Sequence, residues 1–226
     1  RLIDDCRSQL AAYLGVPSPA QIVITLNCTD SLNIVLQGFL RAGDRVIAST
    51  MDHNSVLRPL EFLKSQSQIE LTLIDFDPNT GLFDENEFAT QLIAQRPSLV
   101  VLTHASNVTG RVQPVQRLAQ LAHEAGAKVL LDAAQTVGHH PVSMVELDVD
   151  FLAVAGHKGL LGPLGTGLLA IQAGLDTSVR PLRFGGTGTA SESLEQPESM
   201  PSRFESGNMN LPGIAGLHAA VSWLTS

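Results

Sequence analysis

Lysine is scarce in this chain of 226 residues: only Lys64, Lys128 and Lys158 occur. The 14 basic residues are outnumbered by 22 acidic ones, for a net charge of −8. A nucleic-acid surface depends on clustered Lys and Arg, so this balance argues against one and favours a neutral or zwitterionic small partner. Two cysteines, Cys6 and Cys28, are too few for a disulfide framework, which makes the cytoplasm the expected compartment. No apolar run approaches the roughly 18 residues of a membrane span. The opening RLIDDCRSQLAAYLG carries acidic residues and no continuous apolar stretch, so it does not read as a secretory signal. What is present, 44% hydrophobic and 16% charged residues, suits a folded domain with one sizeable core. The chain opens on a helical pattern and stops at HAAVSWLTS, which raises the reading of a piece of a longer protein.

Helix and strand signals alternate throughout, the pattern of an α/β domain on a largely parallel sheet. Helices are expected over residues 2–14 (closed by Gly15), from Asp30 or Ser31 through about Leu40, and over 55–64. Others are expected from near Asp84 to before Pro97, from Pro114 to Ala125, and over 212–224. Strands are expected at QIVITL (21–26), RVIAS (45–49), LTLIDF (71–76), LVVLTHA (99–105), KVLLD (128–132), DFLAVAG and TGLLAI. Residues 178–209, rich in Gly, Ser, Glu and Pro, read as loop. Ligands of open α/β sheets gather outside the carboxyl ends of strands. The polar residues after strands one, two, four, five and six are therefore candidates for one pocket.

Within that pocket Lys158 stands out. Lys64 ends a helix and Lys128 enters a strand, whereas Lys158 sits in AGHKGLLGPLGTG, after a buried-looking strand and before glycines that permit close backbone approach. Desolvated there, it could form a Schiff base with a carbonyl compound; an exposed loop lysine is the other reading. Asp132 ends VLLD and could hold a protonated pyridine nitrogen, with small Ala134 beside it, or it could cap the next turn. His53 could stack on an aromatic ring and Asn107 could hydrogen-bond a phenolic oxygen. Thr29, with neighbouring backbone N–H groups at a helix start, is a phosphate candidate, and His157 offers another donor. Asn27 and Asp30 could instead simply cap that helix, Asp30 foremost. GTGLLA precedes a strand where a dinucleotide motif should follow one, and HKG lacks the hydroxyl residue of a phosphate loop. His139, His140, Asp132 and His157 have no recognisable metal-ligand spacing, so no metal is expected.

The segments NCTDSLNIVLQGFLRAGDRVIAS, MDHNSVLRPL, THASNVTGRVQPV, VLLDAAQTVGHHPV, DFLAVAGHKGLLGPLGTGLL and RFESGNMNLPGIAGL together resemble the class V aminotransferase family of pyridoxal-phosphate enzymes. The resemblance covers nearly the whole chain and is closest to the branch of cysteine desulfurases and selenocysteine lyases. It implies the large domain of fold type I: a mixed, mostly parallel seven-stranded sheet with an antiparallel seventh strand and helices on both faces. By the same resemblance Lys158 carries pyridoxal 5'-phosphate, His53 stacks on its ring, Asp132 holds the pyridine nitrogen and Ala134 supports the opposite face. Asn107 and Gln135 lie near the phenolic oxygen. Thr29, His157 and the Cys28 backbone N–H hold the phosphate. Asn208 stands where the family often has a Thr that reaches a neighbouring subunit's phosphate, and Ala155 where it often has a Ser. The implied activity is amino-acid chemistry, foremost cysteine desulfuration to alanine and enzyme-bound sulfur. Other lyase or transaminase reactions and an inactive cofactor-binding protein remain as alternatives. A homodimer and a sulfur-acceptor protein are implied as partners. So is a smaller C-terminal domain, not included in residues 1–226, with a substrate-binding Arg and a sulfur-receiving Cys; neither Cys6 nor Cys28 matches that Cys.

Overall fold

A computed structural model of the chain describes residues 1–189 and 191–226; Ala190, within the segment read as loop, lies outside the described residues. The elements in chain order are α1 (Leu2–Tyr13), β1 (Ile22–Thr25), α2 (Cys28–Phe39), β2 (Asp44–Ser49), α3 (Asn54–Ser65), β3 (Ile69–Ile74) and α4 (Glu85–Gln95). They continue with β4 (Leu99–Thr103), α5 (Val115–Glu124), β5 (Lys128–Asp132), β6 (Phe151–Ala155), β7 (Gly167–Ile171) and α6 (Leu211–Leu224). All seven strands form one sheet in the order β1-β7-β6-β5-β4-β2-β3. β7 pairs antiparallel with both β6 and β1, so it alone runs against the rest.

The interiors of the central strands alternate between two apolar layers, as a sheet covered on both faces requires. Ile47, Val100, Leu102, Val129, Leu131 and Leu152 pack with Leu10 of α1, Phe88 of α4, Leu118 of α5 and Leu217 of α6. Val46, Leu99, Val101, Leu130 and Phe151 face the other way, onto Leu32 and Leu36 of α2 and Leu60 of α3. Helices therefore lie on both faces. Burial of these side chains is the main driving force, on the order of 1.5–3 kcal/mol for each large one.

Several sequence expectations are corrected. The third strand lies at Ile69–Ile74, not 71–76, because its register against β2 pairs Asp44 with Ile69 and Ser49 with Ile74. Its half-exposed interior on the sheet edge gives no clean alternation from which that register could be read. Helix α2 begins before Asp30 or Ser31: Asn27 is the cap, its side-chain oxygen accepting from the Asp30 N–H at 2.9 Å. Asp30 instead accepts from the Leu26 N–H and forms a two-pronged pair with Arg183 at 2.8 and 3.1 Å.

Residues 178–209 contain no α-helix or strand among those described, yet they are anchored. Arg7 of α1 makes parallel hydrogen bonds to both carboxylate oxygens of Glu205, at 2.7 and 2.8 Å, and also donates to the Ile22 carbonyl. Glu205 Oε1 further accepts from the Ile24 N–H, and both side chains are only 7% exposed. Removing one partner of such a pair leaves a buried charge unmatched. Arg7→Met is accordingly expected to cost about 3–5 kcal/mol in denaturant unfolding. At the amino ends of β5 and β6 Asp150, also buried, accepts from Lys128, His123 and the Val129 N–H, so Lys128 is committed to a structural ion pair.

Candidate functional site

The sheet topology brings the carboxyl ends of β1, β2, β4, β5 and β6 to one edge. A cavity of about 270 Å³ lies there. The loop after β1 and the start of α2 contribute Cys28 and Thr29, β2 leads to His53, and β4 leads to Asn107. β5 ends on Asp132 and continues to Ala134 and Gln135; β6 leads to His157 and Lys158. All of these line the same cavity. Asn208 does not: it lines a neighbouring cavity with Arg183, Asn210 and Ile24.

Strand alternation explains the walls. Leu130 and Ala153 face the α2 side of the sheet, so Asp132 and Ala155, two residues further along, face that way too. Asp132 Oδ1 accepts from the Ala134 N–H at 2.9 Å and from the Cys28 thiol at 3.4 Å. Oδ2 has no hydrogen bond among the described residues. Cys28 is buried; that desolvation, with the Asp132 carboxylate second, pushes its thiol well above the ordinary range. Cys6 is pushed by burial up to about 11. Both sulfurs are therefore held as thiols at neutral pH and lack nucleophilic thiolate character.

The Lys158 side chain is exposed at the cavity and has no hydrogen bond or ion pair among the described residues, while the Lys158 carbonyl accepts from the Leu161 N–H at 2.8 Å. Its loop is shaped by glycine. A Cβ at Gly159 would fall 2.2 Å from the Val137 carbonyl oxygen. One at Gly138, whose φ is +90°, would meet the Gly159 carbonyl at 2.1 Å. These backbone approaches leave no room for a side chain, so Gly159→Ala is expected to displace the lysine loop and weaken ligand retention at least tenfold in an equilibrium binding assay, with little change in secondary structure.

Sequence reasoning missed Ser55 and Asp52. Ser55 lines the cavity and lies between Thr29 and His53; the hydroxyl two residues beyond a strand-end histidine was its only signal. Asp52 is buried beside His53; Oδ2 accepts from the Ser49 N–H at 2.6 Å while Oδ1 has no hydrogen-bond partner among the described residues. Desolvation, reinforced by the Asp132 carboxylate, lifts it from 3.8 to about 8. Nothing in a single Asp among loop residues announces burial.

Asp52 has a consequence for stability. With its value raised on folding, the native chain binds the extra proton between pH 3.8 and about 8, and stability is lost as pH rises through that window. His104, lowered mainly by burial from 6.5 to about 4, has the opposite slope up to pH 6.5. The two slopes offset each other below 6.5, leaving the Asp52 slope visible between pH 6.5 and 8. Asp52→Asn is expected to flatten stability over that interval, as measured by denaturant midpoints at successive pH values; an unchanged slope would exclude Asp52 as its source.

The family model described as aminotransferase class-V matches residues 1–226. The chain is 34% identical to the cysteine desulfurase of Escherichia coli O7:K1 (strain IAI39 / ExPEC) over 231 aligned positions, covering 99% of this chain and 56% of that protein. Among solved structures, the apo cysteine desulfurase from Thermococcus onnurineus NA1 superposes with a TM-score of 0.91 at 30% identity, over 99% of this chain and 56% of that one. A C-DES mutant with glycine covalently linked to the PLP cofactor superposes with a TM-score of 0.88 at 27% identity, over 99% of this chain and 60% of that one. The chain thus spans about half the length of the curated relatives it matches.

Proposed function

Because this chain belongs to the class V aminotransferase family, we propose that it is the cofactor-binding part of a pyridoxal-phosphate enzyme that removes sulfur from cysteine. The observation that carries this reading is a lysine side chain and a carboxylate oxygen, each without a hydrogen-bond partner among the described residues, at a single cavity in a chain similar to cysteine desulfurases. When bound, pyridoxal phosphate supplies a carbonyl that condenses with amines and an electron-poor ring that stabilises negative charge beside the amino carbon.

The residues suit that group. The buried His157 Nδ1 has no hydrogen-bond partner among the described residues, an orphan that an anion or bridging polar group would satisfy. The first-turn N–H groups of Cys28 and Thr29 at the start of α2 add donors for a phosphate. Lys158 would hold the cofactor and move the proton at the amino carbon. Asp132 Oδ2 would hold the proton on the ring nitrogen, His53 would cover one ring face with Ala134 on the other, and Asn107 and Gln135 would contact the phenolic oxygen. Asn208, in the neighbouring cavity, suits a reach toward a second subunit of a homodimer.

Removing sulfur requires a second thiol: cysteine and an acceptor thiol become alanine and a persulfide. The buried Cys6 and Cys28 do not suit this role, so the acceptor cysteine and a substrate-binding arginine would lie outside these residues in a smaller domain, with an acceptor protein downstream. A cytoplasmic enzyme fits this scheme. The test is alanine release from cysteine by the full-length protein loaded with pyridoxal phosphate. Alanine in step with persulfide supports the reading; pyruvate or a keto-acid-dependent transamination assigns another family reaction, and no turnover with a bound chromophore assigns a binding protein.

A further inference from the structure

Three polar side chains on two helix starts form one chain of hydrogen bonds across the cavity. The Ser55 N–H donates to His53 Nδ1 at 3.1 Å, so that ring nitrogen is an acceptor and the neutral imidazole carries its proton on Nε2. Ser55 Oγ lies 2.8 Å from the same Nδ1 and 2.7 Å from Thr29 Oγ1. His53 caps α3, whose first turn includes Ser55, while Thr29 lies in the first turn of α2, so the Ser55 hydroxyl links the starts of two helices that line the cavity.

A serine hydroxyl has one proton, and it donates to one acceptor at a time. With nothing held at Thr29, the Ser55 hydroxyl proton is free to share the single His53 Nδ1 lone pair with the Ser55 N–H while the Thr29 hydroxyl donates to Ser55. Once Thr29 donates its own proton to an anion, its oxygen can only accept, and the Ser55 proton turns away from the imidazole toward it. We propose that Ser55 is a positioning residue whose single hydroxyl proton couples the anion-binding end of the cavity, at Thr29, to the histidine that closes its other side. This inference rests on the cofactor reading for its physiological anion, a phosphate ester, but its test does not.

The intact protein, labelled with 15N-histidine and with His53 assigned through His53→Gln, is titrated with inorganic phosphate and its imidazole nitrogens are followed. In the wild type, phosphate is expected to move His53 Nδ1 toward the position of an acceptor that has lost a hydrogen bond. Ser55→Ala is expected to start near that position and not to respond, and Ser55→Thr, which keeps the hydroxyl, restores the response. In parallel, Ser55→Ala is expected to weaken pyridoxal phosphate binding about fivefold, the effect of one hydrogen bond, and to leave pyridoxal, which lacks the phosphate, unchanged. The proposal is overturned if the wild-type resonance ignores phosphate, if Ser55→Ala responds as the wild type does, or if both ligands weaken equally. Failure of the cofactor reading looks different: pyridoxal phosphate then gives no Lys158-dependent absorbance while the response to phosphate persists.

Discussion

Under the proposed function, Lys158→Ala in the full-length protein is expected to eliminate the lysine-linked absorbance of added pyridoxal phosphate and to lower turnover of cysteine roughly 10³-fold or more, the combined loss of the proposed covalent anchor and proton carrier. The fold should be unaffected. The Lys158 side chain is exposed and has no hydrogen bond or ion pair among the described residues, and the Leu161 N–H bond to its carbonyl survives truncation, so the unfolding midpoint should stay within the ±0.5 kcal/mol typical of surface changes. That separation is the discriminating feature, because loss of both chromophore and stability would mean that the site had collapsed. Lys158→Arg keeps the charge but cannot form the covalent link, so it should resemble Lys158→Ala in absorbance. A chromophore that survives either change would point to Lys128 or Lys64, which the ion pair to Asp150 and the contact with Glu61 make poor candidates.

The second large effect is at Asp132. Asp132→Asn keeps an oxygen able to accept from the Ala134 N–H and the Cys28 thiol, yet removes the negative charge; turnover is expected to fall about 10²–10³-fold, the range for removing an electrostatic stabiliser from a catalytic site. Asp132→Ala should show the same kinetic loss plus a stability cost of about 1–3 kcal/mol, since the buried Ala134 N–H loses its acceptor. Equal turnover in Asp132→Asn and the wild type would remove Asp132 from the chemistry and leave it as a cap for the turn at Ala134. Cys28 supplies an internal control. With the neighbouring carboxylate gone, one of the causes holding its thiol high disappears, so thiol-reagent labelling in partly opened protein should begin at lower pH.

The strand-end logic made most of the cavity legible from residue order. VLLD, THASN and AVAGHK each end a continuous apolar run on polar residues, and parallel pairing of β4, β5 and β6 carries those ends to one edge. The ion pair between Arg7 and Glu205 joins residues 198 positions apart, and no local pattern encodes such a separation. Asp30 shows the limit at short range: its type suits a helix cap, but Asn27, one turn earlier, takes that role and frees Asp30 for Arg183.

Composition and periodicity were thus enough to establish an α/β domain, the alternation of its elements and the candidacy of Lys158, because these depend on which residues follow one another. Ser55 linking Thr29 to His53, the burial that holds Asp52 near 8, and the separation of Asn208 into a neighbouring cavity depend on the relation of distant segments in space. Hydrogen bonds and desolvation act over a few ångströms, whatever the length of chain between the groups, so those features exist only once the sheet and its helices have closed.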